Sequence, residues 1–404
     1  MLTGKSVLLG VSGGIACYKA LDLTRLLVED GASVRVVMTR GAMEFVTPLG
    51  FQTLSKNPVA TSAFDLGEES RIGHIRLADE ADVFVIAPAT ANIISKLAAG
   101  IADDLLTTIA LASTAPMLIA PAMNVHMFEN PIIQENIQKL KRMGRSFVGP
   151  AEGPLACGYE GKGRLVEPGI ILEEVRAILA AKDMRGERVL VTAGPTQEPL
   201  DPARLLTNRS SGKMGFALAR VCRRRGGEVI LVAGPTSLPT PHGVKLVSVD
   251  TAQAMRAKVL ESLSWSTVVF MAAAVCDYLP SVSLPTKMKK GSESLSIALK
   301  RTPDVLREIG NKRNGQILVG FAAETDHIVS NAQTKLVEKN LDLIVANNIL
   351  EQGAGFRSDT NHVTLIARDG ETRELPLMTK EEVAERLVDW VVGRRGQKLS
   401  LTSS

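Results

Sequence analysis

The chain has 404 residues, 45% of them apolar and only 4% aromatic, with a formal net charge of +4. That length suits two or three domains with large aliphatic cores, and the small charge excess, with no basic stripe or aromatic platform, excludes a nucleic-acid binder while suiting an enzyme of phosphorylated substrates. Scattered Cys17, Cys157, Cys222 and Cys276 form no CxxC pair, no apolar run reaches membrane-spanning length and the glycine-broken N-terminus is no signal peptide, so a cytoplasmic protein without disulfide framework, zinc site or membrane anchor is expected.

A first strand is predicted at 7–11, then the turn Ser12-Gly13-Gly14, then a helix over 15–29 with Ala16, Ala20, Leu23, Leu26 and Leu27 on its apolar side. Further strands are predicted at 33–38, 81–87 and 115–120, and a closing helix at 170–181. Short strands alternating with helices imply a parallel sheet covered on both faces, with ligands beyond the strands' carboxyl ends. Four polar or small segments fall there: Ser12-Gly13-Gly14, Thr39-Arg40, Pro88-Ala89-Thr90-Ala91-Asn92 and Pro121-Ala122-Met123-Asn124. The first is not GxGxxG, which argues against a dinucleotide. Hydroxyls at Ser12 and Thr39 suit one phosphate, hence a mononucleotide such as FMN; a plain tight turn at Gly13-Gly14 is the alternative. His74, Asn124 and Cys157 also stand out. Each has a bland reading, as surface histidine, helix cap and inert thiol, and a functional one, with the Gly-rich stretch 149–163 acting as a mobile flap that carries a proton donor.

The charged run 182–188 marks the boundary, giving domains 1–183 and 184–404. A second Rossmann-like sheet begins at 189–193, followed by a loop rich in Pro and Asp and a helix opened by Ser210-Ser211-Gly212. A helix start of this kind attracts phosphate through its free N–H groups and dipole. Strands are predicted at 228–233, 245–249, 267–272, 316–321 and 341–346, then a hairpin around Asp369-Gly370 and a last helix over 377–392. The pattern fails between Tyr278 and Leu299, where Lys287-Met288-Lys289-Lys290 is either a solvated loop or a set of mobile cations for a triphosphate. Lys335 and Lys339 lie one turn apart on a helix over 330–340, with the same two readings.

Gly10 through Ala16, Gly73-His74-Ile75, Pro121-Ala122-Met123-Asn124 and Ala156-Cys157-Gly158 resemble the flavin-dependent cysteine decarboxylases. The second half adds Ala193-Gly194-Pro195-Thr196, the Ser-Ser-Gly-Lys-Met-Gly core at 210–215, Ala272 through Tyr278, Lys287 through Lys290, Thr302-Pro303-Asp304 and Gly320 through Thr325. In this order, over nearly the whole chain, these motifs resemble the bacterial bifunctional phosphopantothenoylcysteine decarboxylase/phosphopantothenate–cysteine ligases of coenzyme A biosynthesis. The resemblance implies an α/β architecture, a flavodoxin-like (Rossmann-type) flavoprotein domain followed by a Rossmann-like ligase domain. It also implies a ligase that activates 4′-phosphopantothenate with CTP as an acyl-cytidylate which cysteine then attacks, and a decarboxylase acting on the product.

Decarboxylating a terminal cysteine leaves a carbanion with nowhere to go. Oxidising its thiol to a thioaldehyde, with FMN taking the hydride, supplies the electron sink, and loss of carbon dioxide gives an enethiolate. By resemblance, Ser12, Gly13, Gly14, Thr39, Pro88, Ala89, Thr90 and Ala91 hold FMN, His74 is a base or orienting group, Asn124 holds the substrate carboxylate and Cys157 donates the proton. A thiol suits that task, since its ordinary pKa of about 8.5 keeps it protonated at neutral pH. In the ligase, Ala273, Asp277, Thr302, Pro303, Asp304, Val305, Phe321, Lys335 and Lys339 hold CTP, with Lys287 on the triphosphate and magnesium bridging its oxygens. Arg204, Asn208, Ser210, Ser211, Gly212 and Lys213 handle phosphopantothenate and the acyl intermediate. The chain departs from the family pattern at Arg209, where His is expected, and at Cys276, where Ala is expected; both bear on fine specificity. A homo-oligomer is implied, with trimeric decarboxylase and dimeric ligase contacts that build a dodecamer. The rivals are a non-catalytic FMN-binding regulatory protein, which loss of Asn124 or Cys157 would favour, and an NAD-dependent oxidoreductase, which the missing GxGxxG opposes.

Overall fold

Aliphatic runs that end in proline or small polar residues become buried parallel strands. In the computed structural model these are β1 (Ser6–Val11), β2 (Ser33–Met38), β3 (Val59–Ala60), β4 (Val83–Ala89), β5 (Met117–Pro121) and β6 (Ser146–Phe147), in the sheet order β3-β2-β1-β4-β5-β6, all parallel. Residues 63–72, 155–157, 290–294, 325, 349, 352, 356 and 403–404 lie outside the described residues, as do the side chains of 73–74 and 397–402. The chain divides into two compact units, Met1–Ala180 and Ala181–Ser404. In the first, Val7, Leu9 and Val11 pack with Leu23, Leu27 and Val175, while Leu8, Phe84 and Ile86 pack on the other face with Ile94, Leu106 and Ile109. Both faces are covered, which is why these strands read as continuous apolar runs instead of alternating ones. The strand order reverses between β1 and β4, opening a crevice at their carboxyl ends. Beyond β6, β7 (Ala151–Pro154) and β8 (Glu160–Arg164) form an antiparallel hairpin within the Gly-rich stretch.

The second unit repeats the plan with β9 (Arg188–Ala193), β10 (Gln197–Asp201), β11 (Arg204–Thr207), β12 (Glu228–Ala233), β13 (Lys245–Ser248), β14 (Val268–Met271), β15 (Tyr278–Pro280), β16 (Leu299–Arg301), β17 (Ile317–Glu324), β18 (Leu343–Asn348), β19 (Thr360–Ala367) and β20 (Thr372–Thr379). Its main sheet has the order β13-β12-β9-β14-β17-β18-β19-β20, parallel as far as β18 and antiparallel through the closing hairpin. Val189 and Val191 face the helices Lys213–Arg224 and Lys380–Thr402, whereas Leu190, Val232 and Val269 face Ala252–Leu263, Val305–Lys312 and Ile328–Glu338. Phe270 lies fully buried in β14 among Val191 and Val319. Phe270→Ala is expected to cost about 3–5 kcal/mol, read as a lowered denaturant midpoint for this unit.

Three sequence expectations change. The loop after β9 contains the β10–β11 hairpin, and the failing stretch after Tyr278 is bracketed by the pair β15–β16. Both lack apolar alternation and carry prolines, so neither announces itself as strand. The last helix starts at Lys380, not Leu377, because Leu377–Thr379 belong to β20. Thr379 and Glu382 form a capping box there: Glu382 N donates to Thr379 Oγ1 at 3.2 Å, and Thr379 N donates to the Glu382 carboxylate at 2.8 Å.

Candidate active sites

At the carboxyl ends of the first sheet lies a cavity of about 910 Å³. Ser12, at the end of β1, donates its hydroxyl to Pro88 O at 2.7 Å and accepts from Thr90 N at 3.1 Å, tying two loops together. The Ser12 hydrogen is thereby committed, so this side chain is a strut. The backbone N–H groups of Gly13, Gly14 and Ile15 donate to no described residue. Thr39 caps the short helix Arg40–Met43, accepting from Ala42 N at 3.2 Å. A Cβ on Gly13 would stand 2.5 Å from the Gly41 carbonyl carbon, so only glycine lets these loops meet.

Gly14, Thr39, Pro88, Thr90 and Ala91 line the same cavity. Ala89 does not: it is buried, and its carbonyl accepts from Ala122 N. Asn124 lines the cavity and also caps the helix Val125–Glu129, accepting from His126 N at 2.8 Å. The bland and functional readings therefore coincide at one residue. Strand β8 is seated on this loop through Met123 N to Gly163 O at 2.9 Å. A Cβ on Gly163 would stand 2.3 Å from Met123 O. Pro154, at the end of β7, lines the cavity and leads into the segment with Cys157. Cys157 and the His74 side chain lie outside the described residues. Free N–H groups at a glycine turn, capped helix starts and apolar walls suit a mononucleotide with an aromatic ring system.

The second unit carries a cavity of about 750 Å³ at the corresponding end of its sheet. Asn208, Ser210, Gly212 and Lys213 line one side; Ala273, Asp277, Thr302, Pro303, Asp304 and Val305 line another, with Phe321, Lys335 and Lys339. Asn208 Nδ2 donates to Ala274 O at 3.0 Å and Val275 O at 3.1 Å. The same segment is held by Ala273 N to Thr192 Oγ1 at 3.1 Å and Cys276 N to Thr196 Oγ1 at 2.9 Å. Burial raises the Cys276 thiol pKa, so this departure fills space as a protonated side chain. Three of the cavity's cations are paired with carboxylates of the chain: Lys335 with Glu324, Lys339 with Asp304 at 3.3 Å and Lys213 with Asp359 at 2.6 Å. An anionic ligand would have to exchange with these partners.

Arg204, Ser211 and Lys287 are not among the cavity-lining residues. Arg204 bonds Asp201 at 2.6 Å and Met288 O at 3.3 Å, and Lys287 is exposed beside it. Burial works to raise the Asp201 carboxyl, but the N–H groups of Ala203 and Met288 with the Arg204 guanidinium overcome it and hold it at about 2. The carbonyl of Ser211 accepts from Thr236 Oγ1 at 3.0 Å. Arg209 is exposed and outside the lining. Conversely, Asn347, Asn361 and Lys380 line the cavity without having been singled out in the sequence. Only the Thr379–Glu382 capping box hinted that Lys380 begins a helix. Among the described residues, no group of three or more His, Cys, Asp or Glu could hold a metal, and no helix is long and apolar enough to cross a membrane.

The Flavoprotein family matches residues 1–180, and the DNA/pantothenate metabolism flavoprotein C-terminal domain matches residues 184–394. The coenzyme A biosynthesis bifunctional protein CoaBC of Bacillus subtilis strain 168 is 51% identical over 388 residues, covering 95% of this chain and 96% of its own. A crystal structure of the C-terminal domain of a CoaBC protein is 41% identical and covers 54% of this chain and 100% of its own, with a TM-score of 0.47. A PPC decarboxylase mutant complexed with pantothenoylaminoethenethiol is 35% identical and covers 43% of this chain and 96% of its own, with a TM-score of 0.39. The chain belongs to the bifunctional coenzyme A biosynthesis family, with a flavoprotein decarboxylase in its first half and a phosphopantothenate–cysteine ligase in its second.

Proposed function

We propose that the ligase cavity joins 4′-phosphopantothenate to cysteine and that the first cavity decarboxylates the product, with roles divided as follows. FMN occupies the first cavity, its phosphate taken by the free N–H groups of Gly13, Gly14 and Ile15. When bound, the flavin supplies the two-electron oxidation and re-reduction. Asn124 holds the substrate carboxylate from its place beside the flavin loops, and Cys157 delivers a proton to the enethiolate once carbon dioxide has left. His74 serves as a base or orienting group beside the flavin. One observation supports this above all: the Asn124 loop, the flavin loops and the base of the hairpin leading to Cys157 border a single cavity.

In the ligase, the Ala273–Asp277 backbone, Thr302–Val305 and Phe321 receive the cytidine, and Lys335 and Lys339 exchange their carboxylate partners for triphosphate oxygens. Magnesium, coming with CTP, would offset the charge of the triphosphate that Lys335 and Lys339 would hold. Lys287 and Arg204 act from the neighbouring loop and hairpin, and Asn208 with the Ser210–Lys213 helix start takes phosphopantothenate and the acyl-cytidylate. The protein works in the cytoplasm as a homo-oligomer.

The decisive assay mixes flavin-loaded protein with 4′-phosphopantothenate, cysteine, CTP and magnesium and follows products by mass spectrometry. 4′-Phosphopantetheine, CMP and pyrophosphate are expected together; accumulation of phosphopantothenoylcysteine would reduce the first half to a silent flavoprotein. Cys157→Ser should stall after oxidation and accumulate a partly processed intermediate. Full turnover by that variant removes Cys157 from the mechanism.

A further inference from the structure

The ligase cavity is flanked by cations from both faces of the sheet. Lys335 and Lys339 come from the helix Ile328–Glu338 and its C-cap, which packs on the face containing Leu190 and Val269. Lys213 and Lys380 begin the helices Lys213–Arg224 and Lys380–Thr402, which pack on the opposite face. Two helix N-termini, each carrying a lysine at its first position, therefore reach one end of the cavity.

Lys380 is only 6% exposed. Its ammonium donates to Gly355 O at 3.3 Å and to Ser358 O. Lys213 grips the same segment, donating to Arg357 O at 3.1 Å and to Asp359. An ammonium has three donors, and among the described residues Lys380 has two carbonyl acceptors and no carboxylate contact. Asp359, the carboxylate nearest this pair, spends itself on Lys213 and is 86% exposed. A buried cation without a contacting counter-charge, beside a second cation and two helix starts, is an arrangement completed by a multiply charged anion. Burial lowers the Lys380 pKa to about 8, with Lys213 adding to the fall and Asp359 opposing it.

We propose that Lys380, acting with Lys213, binds the terminal phosphate monoester of 4′-phosphopantothenate, leaving the triphosphate to Lys335 and Lys339 on the other face. This rests on the reading that the Ser210–Lys213 helix start receives phosphopantothenate. Both substrates carry phosphoryl groups, so the test separates them. In the full-length, flavin-loaded protein, KM values for 4′-phosphopantothenate and for CTP are measured by CMP release with Lys380→Met, Lys380→Arg and Lys213→Met. Lys380→Met is expected to raise KM for 4′-phosphopantothenate at least about tenfold, the worth of a charged hydrogen bond, and to leave KM for CTP within about twofold of wild type. Lys380→Arg should restore most of the loss, and unphosphorylated pantothenate should be used equally by Lys380→Met and wild type.

An unchanged KM for 4′-phosphopantothenate in Lys380→Met, or equal rises for both substrates, overturns the assignment. If Lys213→Met raises that KM while Lys380→Met does not, only the role of Lys380 fails. If neither variant changes it, the reading of the helix start fails too.

Discussion

Asn208→Asp is expected to slow ligation by orders of magnitude or to accumulate the acyl-cytidylate, while decarboxylation of supplied phosphopantothenoylcysteine continues. The wild-type amide donates from Nδ2 to two carbonyls, Ala274 O at 3.0 Å and Val275 O at 3.1 Å. Aspartate places a carboxylate oxygen where that NH2 stood, so two hydrogen bonds become two oxygen–oxygen repulsions. The loss is about 2–4 kcal/mol, which is roughly 30- to 1,000-fold in rate. It falls on the segment whose backbone lines the side of the cavity proposed for the nucleotide, already pinned by Thr192 and Thr196. Mass-spectrometric detection of CMP and phosphopantothenoylcysteine reads the result. Unaltered ligation would remove Asn208 from the site.

Gly13→Ala should yield a protein that purifies without flavin yet still ligates. Its Cβ would lie 2.5 Å from the Gly41 carbonyl carbon and 2.6 Å from the Gly41 oxygen, with backbone on both sides and no flexible side chain to yield. The loops after β1 and β2 must part, carrying the free N–H groups of Gly13 and Gly14 out of register with a phosphate. A misplacement of this size costs on the order of 100-fold, so phosphopantothenoylcysteine should accumulate from CTP, cysteine and 4′-phosphopantothenate. The clash is with backbone and is specific to this position, since a Cβ on Gly14 would meet no protein atom nearer than Thr90 Cγ2 at 3.7 Å. Stoichiometric flavin on Gly13→Ala, measured from the visible flavin band, would show that the close loop approach does not shape this cavity.

Much of the architecture was legible because parallel sheets leave a strong local record. Strands covered on both faces must be apolar throughout, and the residues at their carboxyl ends must be small or polar; both halves show this. What escaped notice was local structure without such a signature. The β10–β11 hairpin carries Pro199 and buries only Glu198 and Asp201, both charged residues, so no apolar periodicity marks it. The last helix starts later than its apolar pattern suggests because Leu377 and Met378 suit either a helix or an edge strand, and the strand pairing of β20 with β19 decides between them.

The site residues divide the same way. Chain order alone placed Ser12, Gly14, Thr39, Thr90 and Asn124 at strand ends, where one cavity gathers them. Ala89 sits in the same motif, but β4 continues through it and turns its side chain into the core. Arg204 and Lys287 lie close in motif order to cavity residues, yet their surroundings are Asp201 and the neighbouring hairpin.

The sequence by itself determined two α/β units, the strand-end loops that border their cavities and, through motif resemblance, the family. Tertiary structure alone decided which groups are available: the Ser12 hydroxyl is consumed by Pro88, while the Gly13 and Gly14 N–H groups are left open. It also brought Lys380 beside the Lys213 helix start although 167 positions separate them. That meeting depends on two helices packing side by side on one face of the sheet, and no local pattern of residues encodes a contact at that separation.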